Sequence, residues 1–297
     1  MDGDWKKDVN INMEKIHLLD SQTSNQIAAG EVVERPASVI KELMENAIDA
    51  GANRIKIKIF GHDLEKMQIT DNGCGMNPKD LLQCVKRHAT SKIKSIEDLD
   101  SLGTMGFRGE ALPAIAAVSQ MTIISRSGDM NTAYETTVVD GQPAKPQEVG
   151  APPGTTIIVD KLFYNTPARK KFLKSPSWEL GQISDLVGRL AMAYPHISFD
   201  LEQDGKQILR TSGNGQINQA VLAVYGQEVL AHMVELQWMQ NILVHGLVSL
   251  PQISRSSRHH YTFFVNNRWI RSKELSAAVN DAYHTILPAK RYPIVVI

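Results

Sequence analysis

The 297-residue chain predicts an α+β sandwich, with helices on one face of a sheet, followed by a smaller second unit. Three observations carry that expectation. Strict apolar alternation in "RIKIKIF" (54–60) marks a half-buried strand. Helical stretches come in pairs ahead of runs of antiparallel-looking strands, without the βα alternation of a doubly wound sheet. The pattern then restarts after the polar Gly/Asn turn "RTSGNGQ" (210–216). The limits read this way are an N-terminal arm at 1–20, a first domain at 21–212 and a second at 213–297.

Taken in order, the polar arm leads into a short helix through "SNQIAAGEVV" and then a second through "PASVIKELMENAID". Pro36 suits a first turn, Gly51 a left-handed stop, and Ile40, Leu43, Met44, Ala47 and Ile48 share one face of that second helix. Strands "RIKIKIF" and "KMQIT" follow, the latter running directly into Asp71. "NPKDLLQCVKRH" predicts a helix from Asn77 to His88, with Pro78 in its first turn. A further helix opens at Glu110 through "ALPAIAAVS", and "MTIISR", "AYETTVV" and "GTTIIVDKLF" read as strands between Gly/Pro loops. "SPSWELGQISDLVGRLAMAYP" is a long helix, bracketed by Ser175 and Pro176 and stopped by Pro195. Beyond residue 216 come helix, strands, helix and a last strand in "RYPIVVI", whose position at the end of the chain gives the expectation of a truncated second domain.

Lys and Arg number 32, as do Asp and Glu, so zero net charge leaves any nucleic-acid site to a local patch. The two cysteines, Cys74 and Cys84, are too few for a disulfide framework and too far apart for a C-x-x-C pair, which points to a reducing compartment. "MDGDWKKDVNINMEK" lacks the apolar centre of a signal peptide, and no apolar run is long enough to span a bilayer. The expectation is a soluble intracellular protein that meets no membrane.

The face of the second helix opposite its apolar stripe carries Glu42, Asn46 and Asp49 at intervals of four and three. A solvated face has the same pattern, so the chemistry must come from elsewhere in the chain. No stretch fits G-x-x-x-x-G-K-[ST], and Gly103, Gly106 and Gly109 stand three apart, unlike the G-x-G-x-x-G fingerprint. In their place stands an ordered set of small motifs: "ENAIDAGA", "DNGCGM", "HATSKI", "GFRGEAL" and "GTT". Asp71, at a strand end before Gly73 and Gly75, suits an acceptor for the exocyclic amine of adenine, which guanine lacks at that place; an Asx-type turn fits "DNG" as well. Thr90, Ser91 and Lys92 offer two hydroxyls and a charge, and the glycines of "MGFRGEAL" lead to a helix N-terminus, so together they suit a polyphosphate. Asn46 then suits a single protein ligand for Mg²⁺, whose other positions fill with phosphates and water. Glu42, roughly 6 Å away along the axis, suits orientation or deprotonation of the attacking water, and Asp49 reads as structural.

These five motifs in this order resemble the GHKL class of ATPases. With "QIAAGEVVERPASVIKELMENAIDAGA" (26–52), "RHATSKI" and "LFYNTPARKKFLK" (162–174), the chain is similar to the MutL family of DNA mismatch-repair proteins, most closely over 16–174. The resemblance implies a Bergerat-type ATP sandwich, with Glu42 as general base, Asn46 as Mg²⁺ ligand, Asp71 as the adenine-reading carboxylate, Gly75 facing the base and Thr155 near it. It assigns Thr90, Ser91, Lys92 and the segment Gly106, Phe107, Arg108, Gly109, Glu110, Ala111 and Leu112 to loops that order around the phosphates. It implies a switch in which ATP draws two N-terminal regions into a homodimer and governs contact with DNA, with a mismatch-recognition protein of the MutS type and with a downstream nuclease or helicase. The polar arm is then a candidate for the swapped contact. The location would be cytoplasmic and nucleoid-associated in a bacterium, nuclear in a eukaryote.

"YTFFVNNRWIRSKELSAAVNDAYHTIL" resembles the family's ribosomal-protein-like βαβ domain. In the family, a strand and loop further on carry a lysine that reaches the γ-phosphate; the chain ends at Ile297 before such a segment, so the expectation is nucleotide binding with weak or no hydrolysis. Weak, salt-dependent DNA contact is expected from Arg169, Lys170, Lys171 and Lys174, and from a second basic group of Arg268, Arg271 and Lys273 beside "RSSRHH"; ordinary surface charge is the other reading. His88 reads as structural, and Trp178, Trp238 and Trp269 as core or interface residues. Two other classes stay open: another GHKL enzyme, such as a histidine kinase or topoisomerase subunit, and a scaffold fragment that binds DNA or nucleotide without turnover. "FYNTPARKKF" favours repair over the first.

Overall fold

The computed structural model describes residues 18–92, 104–106 and 109–297. Residues 1–17 of the arm, with Phe107 and Arg108, lie outside them. The first sheet is built from β1 (Arg54–Phe60), β2 (Lys66–Asp71), β3 (Gln120–Arg126), β4 (Ala133–Val139), β5 (Gln142–Pro143), β6 (Gln147–Val149), β7 (Gly154–Asp160), β8 (Ser198–Gln203) and β9 (Lys206–Arg210). Their order is β5-β4-β3-β7-β2-β1-β8-β9, with β6 beside β4. Every pairing is antiparallel except β1 with β8, which the long intervening chain brings together in parallel.

Among the described residues the helices cover one face of this sheet, and the sequence alternates accordingly. Ile55, Ile57 and Ile59 point into the core, while Lys56 and Lys58 on the reverse face reach Glu202 of β8 at 2.9 and 3.4 Å. The covering layer contains α1 (Ser21–Val32), α2 (Pro36–Asp49), α4 (Ala111–Ala117) and α6 (Pro176–Ala193). Val39, Ile40, Leu43 and Met44 of α2, Ile115 of α4 and Ile183 and Val187 of α6 meet the sheet's isoleucines in a single buried cluster. Burial of this apolar surface, at about 25 cal/mol per Å², is what fixes α2 against β2 and turns its other face toward the loops.

After the loop at 211–216 come α7 (Ile217–Tyr225), α8 (Gln227–Leu230), β10 (Met233–Met239), β11 (Leu243–Ser249), β12 (Tyr261–Val265), β13 (Arg268–Ile270), α9 (Lys273–Tyr283) and β14 (Val295–Val296). The second sheet has the order β10-β11-β14-β12-β13, and β14 lies parallel to β12 after the α9 crossover. Its α7 packs on α6, where Met192 joins Ala220, Val221, Leu247 and Val296 in one small cluster.

Several expected elements change at the ends. The helix expected from Asn77 to His88 is the short α3 (Pro78–Gln83), because His88 takes φ 62° and its N–H donates to the Gly109 carbonyl at 3.2 Å, which no helix permits. The strand through "GTTIIVDKLF" stops at Asp160, where Lys161 and Phe163 both adopt positive φ and the Phe163 N–H turns to the Val118 carbonyl at 2.7 Å. The basic residues Arg169, Lys170 and Lys171 lie on the short helix α5 (Pro167–Phe172), with Pro at its first position. None of Trp178, Trp238 and Trp269 is a core residue: all are exposed by more than a third, and Arg35 and Arg189 lie over the rings of Trp178 and Trp269 at 4.9 and 4.1 Å.

Candidate functional site

The polar stripe of α2 is not a solvated face. The side chains of Glu42, Glu45 and Asp49 are 24%, 12% and 7% exposed, against what a free helix surface would show. Lys41 bridges Glu42 and Glu45 at 3.0 and 3.1 Å. Burial raises the Glu45 carboxyl above the ordinary carboxylate range, Lys41 only partly offsetting it. Lys41 and Glu45 went unnoticed in the sequence because i, i+4 pairs of opposite sign are common on exposed helices; only the depth of burial distinguishes this one.

At the C-terminal end of α2, two loops converge on one carboxylate. Lys92 Nζ donates to Asn46 Oδ1 at 2.8 Å and to Asp49 Oδ2 at 2.6 Å. The Met105 and Gly106 N–H groups donate to Asp49 Oδ1 and Oδ2 at 2.9 and 3.3 Å. The loops also cross at Gly109, which sits against Ala89 at positive φ and accepts the His88 N–H. Met105 in turn receives the Tyr194 hydroxyl on its sulfur at 3.3 Å, and burial, then Asp49 and Glu45, raises that phenol's pKa. Thr90 and Ser91 are exposed, with Thr90 Oγ1 accepting the Lys92 N–H at 3.2 Å. Glu110 caps α4 from an αR conformation without a side-chain bond to its amides, so Ala111 and Leu112 open that helix.

Asp71 closes β2 opposite Thr155 of β7. Its Oδ1 accepts the Gly73 N–H at 2.8 Å, so the Asx turn is formed, yet burial still raises its pKa against the bonds from Gly73 and Thr155. Beside it, the buried Ser125 hydroxyl bonds Thr155 Oγ1 at 2.9 Å and receives the Met76 N–H at 2.8 Å. Ser125 gave no sequence signal, since it is one alternating strand residue among several. At Gly75 a Cβ would stand 2.0 Å from the Arg126 carbonyl oxygen, so this turn packs directly on the backbone of β3 and takes only glycine.

The basic residues divide. Lys170, Lys171 and Lys174 are exposed. Arg169, by contrast, donates to the Gln26 and Ile27 carbonyls of α1 at 2.9 and 3.4 Å, and a Cβ on Gly30 would strike its guanidinium, so it is a clamp and not a free cation. Arg268 donates to the Thr104 carbonyl at 2.7 Å, and Arg271 lies over Trp269 at 5.0 Å. Lys273 opens α9 and is exposed.

Residues 34–153 match the family description "Histidine kinase-, DNA gyrase B-, and HSP90-like ATPase", and residues 221–297 match "DNA mismatch repair protein, C-terminal domain". The chain is 48% identical over 285 residues to the MutL protein of Heliobacterium modesticaldum, covering 95% of this chain and 43% of that one. It belongs to the MutL family. The MutL of Desulforudis audaxviator is 47% identical over 286 residues, covering 96% of this chain and 51% of that one. The chain thus spans about half the length of the curated relatives it matches. Among solved structures, the N-terminal domain of a DNA repair protein superposes with a TM-score of 0.80 at 25% identity, over 94% of this chain and 87% of that one. The Aquifex aeolicus MutL ATPase domain complexed with ADP superposes with a TM-score of 0.65 at 26% identity, over 84% and 88%. The first sheet and its helices are therefore the Bergerat-type sandwich of GHKL ATPases, and the second sheet belongs to the mismatch-repair domain that follows it in MutL proteins.

Proposed function

We propose that this chain binds ATP with Mg²⁺ in the mouth between α2, the end of β2 and the loops gathered on Asp49, as the nucleotide-controlled part of a mismatch-repair protein. The observation that carries the reading is the half-buried acid-amide-acid stripe of α2 facing two loops that bring a lysine and backbone amides to it. The ADP held by the Aquifex ATPase domain supports it.

In this reading Asp71 accepts the adenine amine. Thr155, tied to Ser125, and the turn at Gly75 shape the base end. Thr90, Ser91, Lys92 and the segment from Gly106 through Gly109, Glu110, Ala111 and Leu112 face the phosphates, and Phe107 and Arg108 lie outside the described residues. Asn46 fits a metal ligand, because its Oδ1 already holds a cation, the Lys92 ammonium. Mg²⁺, when bound, neutralises charge on the phosphates. Glu42 holds or accepts the proton of the water that attacks the terminal phosphate; Lys41 fixes that carboxylate from one side.

Nucleotide-driven dimerisation, contact with a MutS-type partner and recruitment of a nuclease or helicase are part of the same proposal, with the division at 212/213 supported by the separate sheets on either side. DNA contact rests on Lys170, Lys171, Lys174 and Arg271, with Arg268 available only when it leaves Thr104. The same reading includes a cytoplasmic, nucleoid-associated location, which the bacterial origin of the relatives supports; among the described residues no helix is long and apolar enough to cross a membrane.

Calorimetric titration with a non-hydrolysable ATP analogue, with and without Mg²⁺ and with the GTP analogue as control, tests the reading. Adenine-selective, Mg²⁺-dependent binding is expected. Asn46→Ala should weaken the Mg²⁺-dependent part by about tenfold, whereas Glu42→Ala should spare binding and abolish whatever turnover the chain has. Equal loss of binding in both variants would contradict the roles given to them.

A further inference from the structure

Lys92 is placed where the metal is proposed to go. Its side chain is 18% exposed, and its ammonium touches Asn46 Oδ1 at 2.8 Å and Asp49 Oδ2 at 2.6 Å and faces Gly106 closely enough that a Cβ there would lie 3.5 Å from Nζ. We infer that Lys92 is an internal surrogate for the divalent cation: it neutralises Asp49 and occupies the Asn46 oxygen, so that Mg²⁺ reaches Asn46 only when Lys92 lets go. The inference rests on the reading of Asn46 as the metal ligand.

The physical argument is one of exclusion. An ammonium and a divalent ion cannot share an oxygen at contact distance, because their repulsion in a half-buried site far exceeds thermal energy. Mg²⁺ also needs near-octahedral oxygen ligation and gives up water reluctantly, so an acceptor already engaged by a lysine is a poor first ligand. Polyphosphate changes the balance. It offers the ammonium a better anion than Asp49 does and brings the metal its remaining ligands, so the lysine trades Asn46 and Asp49 for phosphate as the metal enters. The metal alone should therefore be rejected, and the metal with nucleotide accepted.

The exchange also reaches the neighbouring loop. Asp49 holds the Met105 and Gly106 amides with the same two oxygens, and the adjacent Thr104 carbonyl is held by Arg268 of the second sheet. Release of Lys92 removes the counter-charge from the carboxylate that anchors this segment. Lys92 thus acts as a positioning residue through Asp49, in addition to any contact with phosphate.

The test uses Mn²⁺ without nucleotide, followed by electron paramagnetic resonance on the 297-residue chain. Lys92→Met, and Lys92→Gln as a second variant that keeps a donor for Asp49, should bind Mn²⁺ about tenfold or more tightly than the parent chain. Lys92→Arg, which keeps the charge, should behave like the parent. Adding Asn46→Ala to Lys92→Met should remove the gain. No gain in either neutral variant, or a gain that survives Asn46→Ala, would overturn the inference. Calorimetry with the ATP analogue separates the two readings: a Mn²⁺ gain in a chain that binds no ATP would keep the surrogate role and sink the proposed function, and ATP binding with no Mn²⁺ gain would do the reverse.

Discussion

The two ends of the candidate site are built by different physics. At the Asp71 end, everything is anchored in the sheet: β2 and β7 pair through Asp71 and Thr155, Ser125 of β3 ties in from the next strand, and the turn at Gly75 packs backbone to backbone on Arg126. At the Asp49 end, a single carboxylate and the amide beside it gather two loops through side-chain contacts. Strand ladders and close backbone packing are set once, by folding. Ionic contacts to a carboxylate can be exchanged for contacts to another anion. The Asp71 end is thus preformed, whereas the Asp49 end is held conditionally, which is the division the proposed nucleotide switch would require.

The largest expected effect breaks the rigid end. Gly75→Ala places a methyl group 2.0 Å from the Arg126 carbonyl oxygen at a φ of 68°, so the turn must move or Arg126 must. A loss of about 3 kcal/mol in unfolding free energy is expected, read from urea denaturation. An unchanged midpoint would show that the Asp71 end is as pliable as the Asp49 end and would dissolve the contrast.

Asp71→Asn sharpens the contrast without breaking it. The asparagine oxygen still accepts the Gly73 N–H, so the turn survives, while the amide group meets the adenine amine donor to donor. Affinity for the ATP analogue should fall about 100-fold, with little change in the folded structure by circular dichroism. The pH dependence carries its own sign. Burial raises the Asp71 pKa, so the folded chain holds this proton more tightly than the unfolded chain does. That contribution to stability is complete below the unfolded value and fades as pH rises through the folded one; Asp71→Asn should not show the fade. Affinity for the analogue should run the other way in the parent chain, dropping as pH falls below the raised value, because the protonated carboxyl is a poorer acceptor.

What could be read in the sequence follows from the same contrast. The alternation of "RIKIKIF", the apolar face of α2 and the handover from β2 to Asp71 are local patterns, and the fold class and strand limits of the first half rest on such patterns. The order of small motifs placed Asn46, Asp71 and Lys92 in one chemistry. Their partners were less legible. Lys92 was expected to face phosphate, yet it bonds Asn46 and Asp49 from more than 40 residues away, and Asp49, read as structural, proves to be the anchor for both loops. The parallel pairing of β1 with β8 depends on chain closure over about half the molecule, which no local window contains. His88 at positive φ could not be foreseen in a helical stretch, because its cause is the carbonyl of Gly109.

The smallest expected effect concerns Arg169, and it extends the comparison to the basic segment after β7. Four cations stand within six residues there, and sequence proximity suggested a common role in meeting phosphate. The structure splits them. Arg169 reaches back to the Gln26 and Ile27 carbonyls of α1, fitting against Gly30, and Asn165 of the same segment donates to the Ala117 carbonyl at the end of α4. This segment therefore bolts the helix that follows the N-terminal arm to the helix that follows the glycine-rich loop. Arg169→Met should cost about 1 to 2 kcal/mol, since a charged donor to two helix carbonyls, one of them part-buried, is lost while the alkyl stem is kept. Lys170→Met, on an exposed position, should stay within about 0.5 kcal/mol of the parent. DNA binding should invert the order: neutralising Lys170 should lower the slope of log affinity against log salt by about one unit, and Arg169→Met should leave that slope unchanged. A lower slope in Arg169→Met with undiminished stability would mean that the clamp on α1 is dispensable and that all four cations serve the same surface.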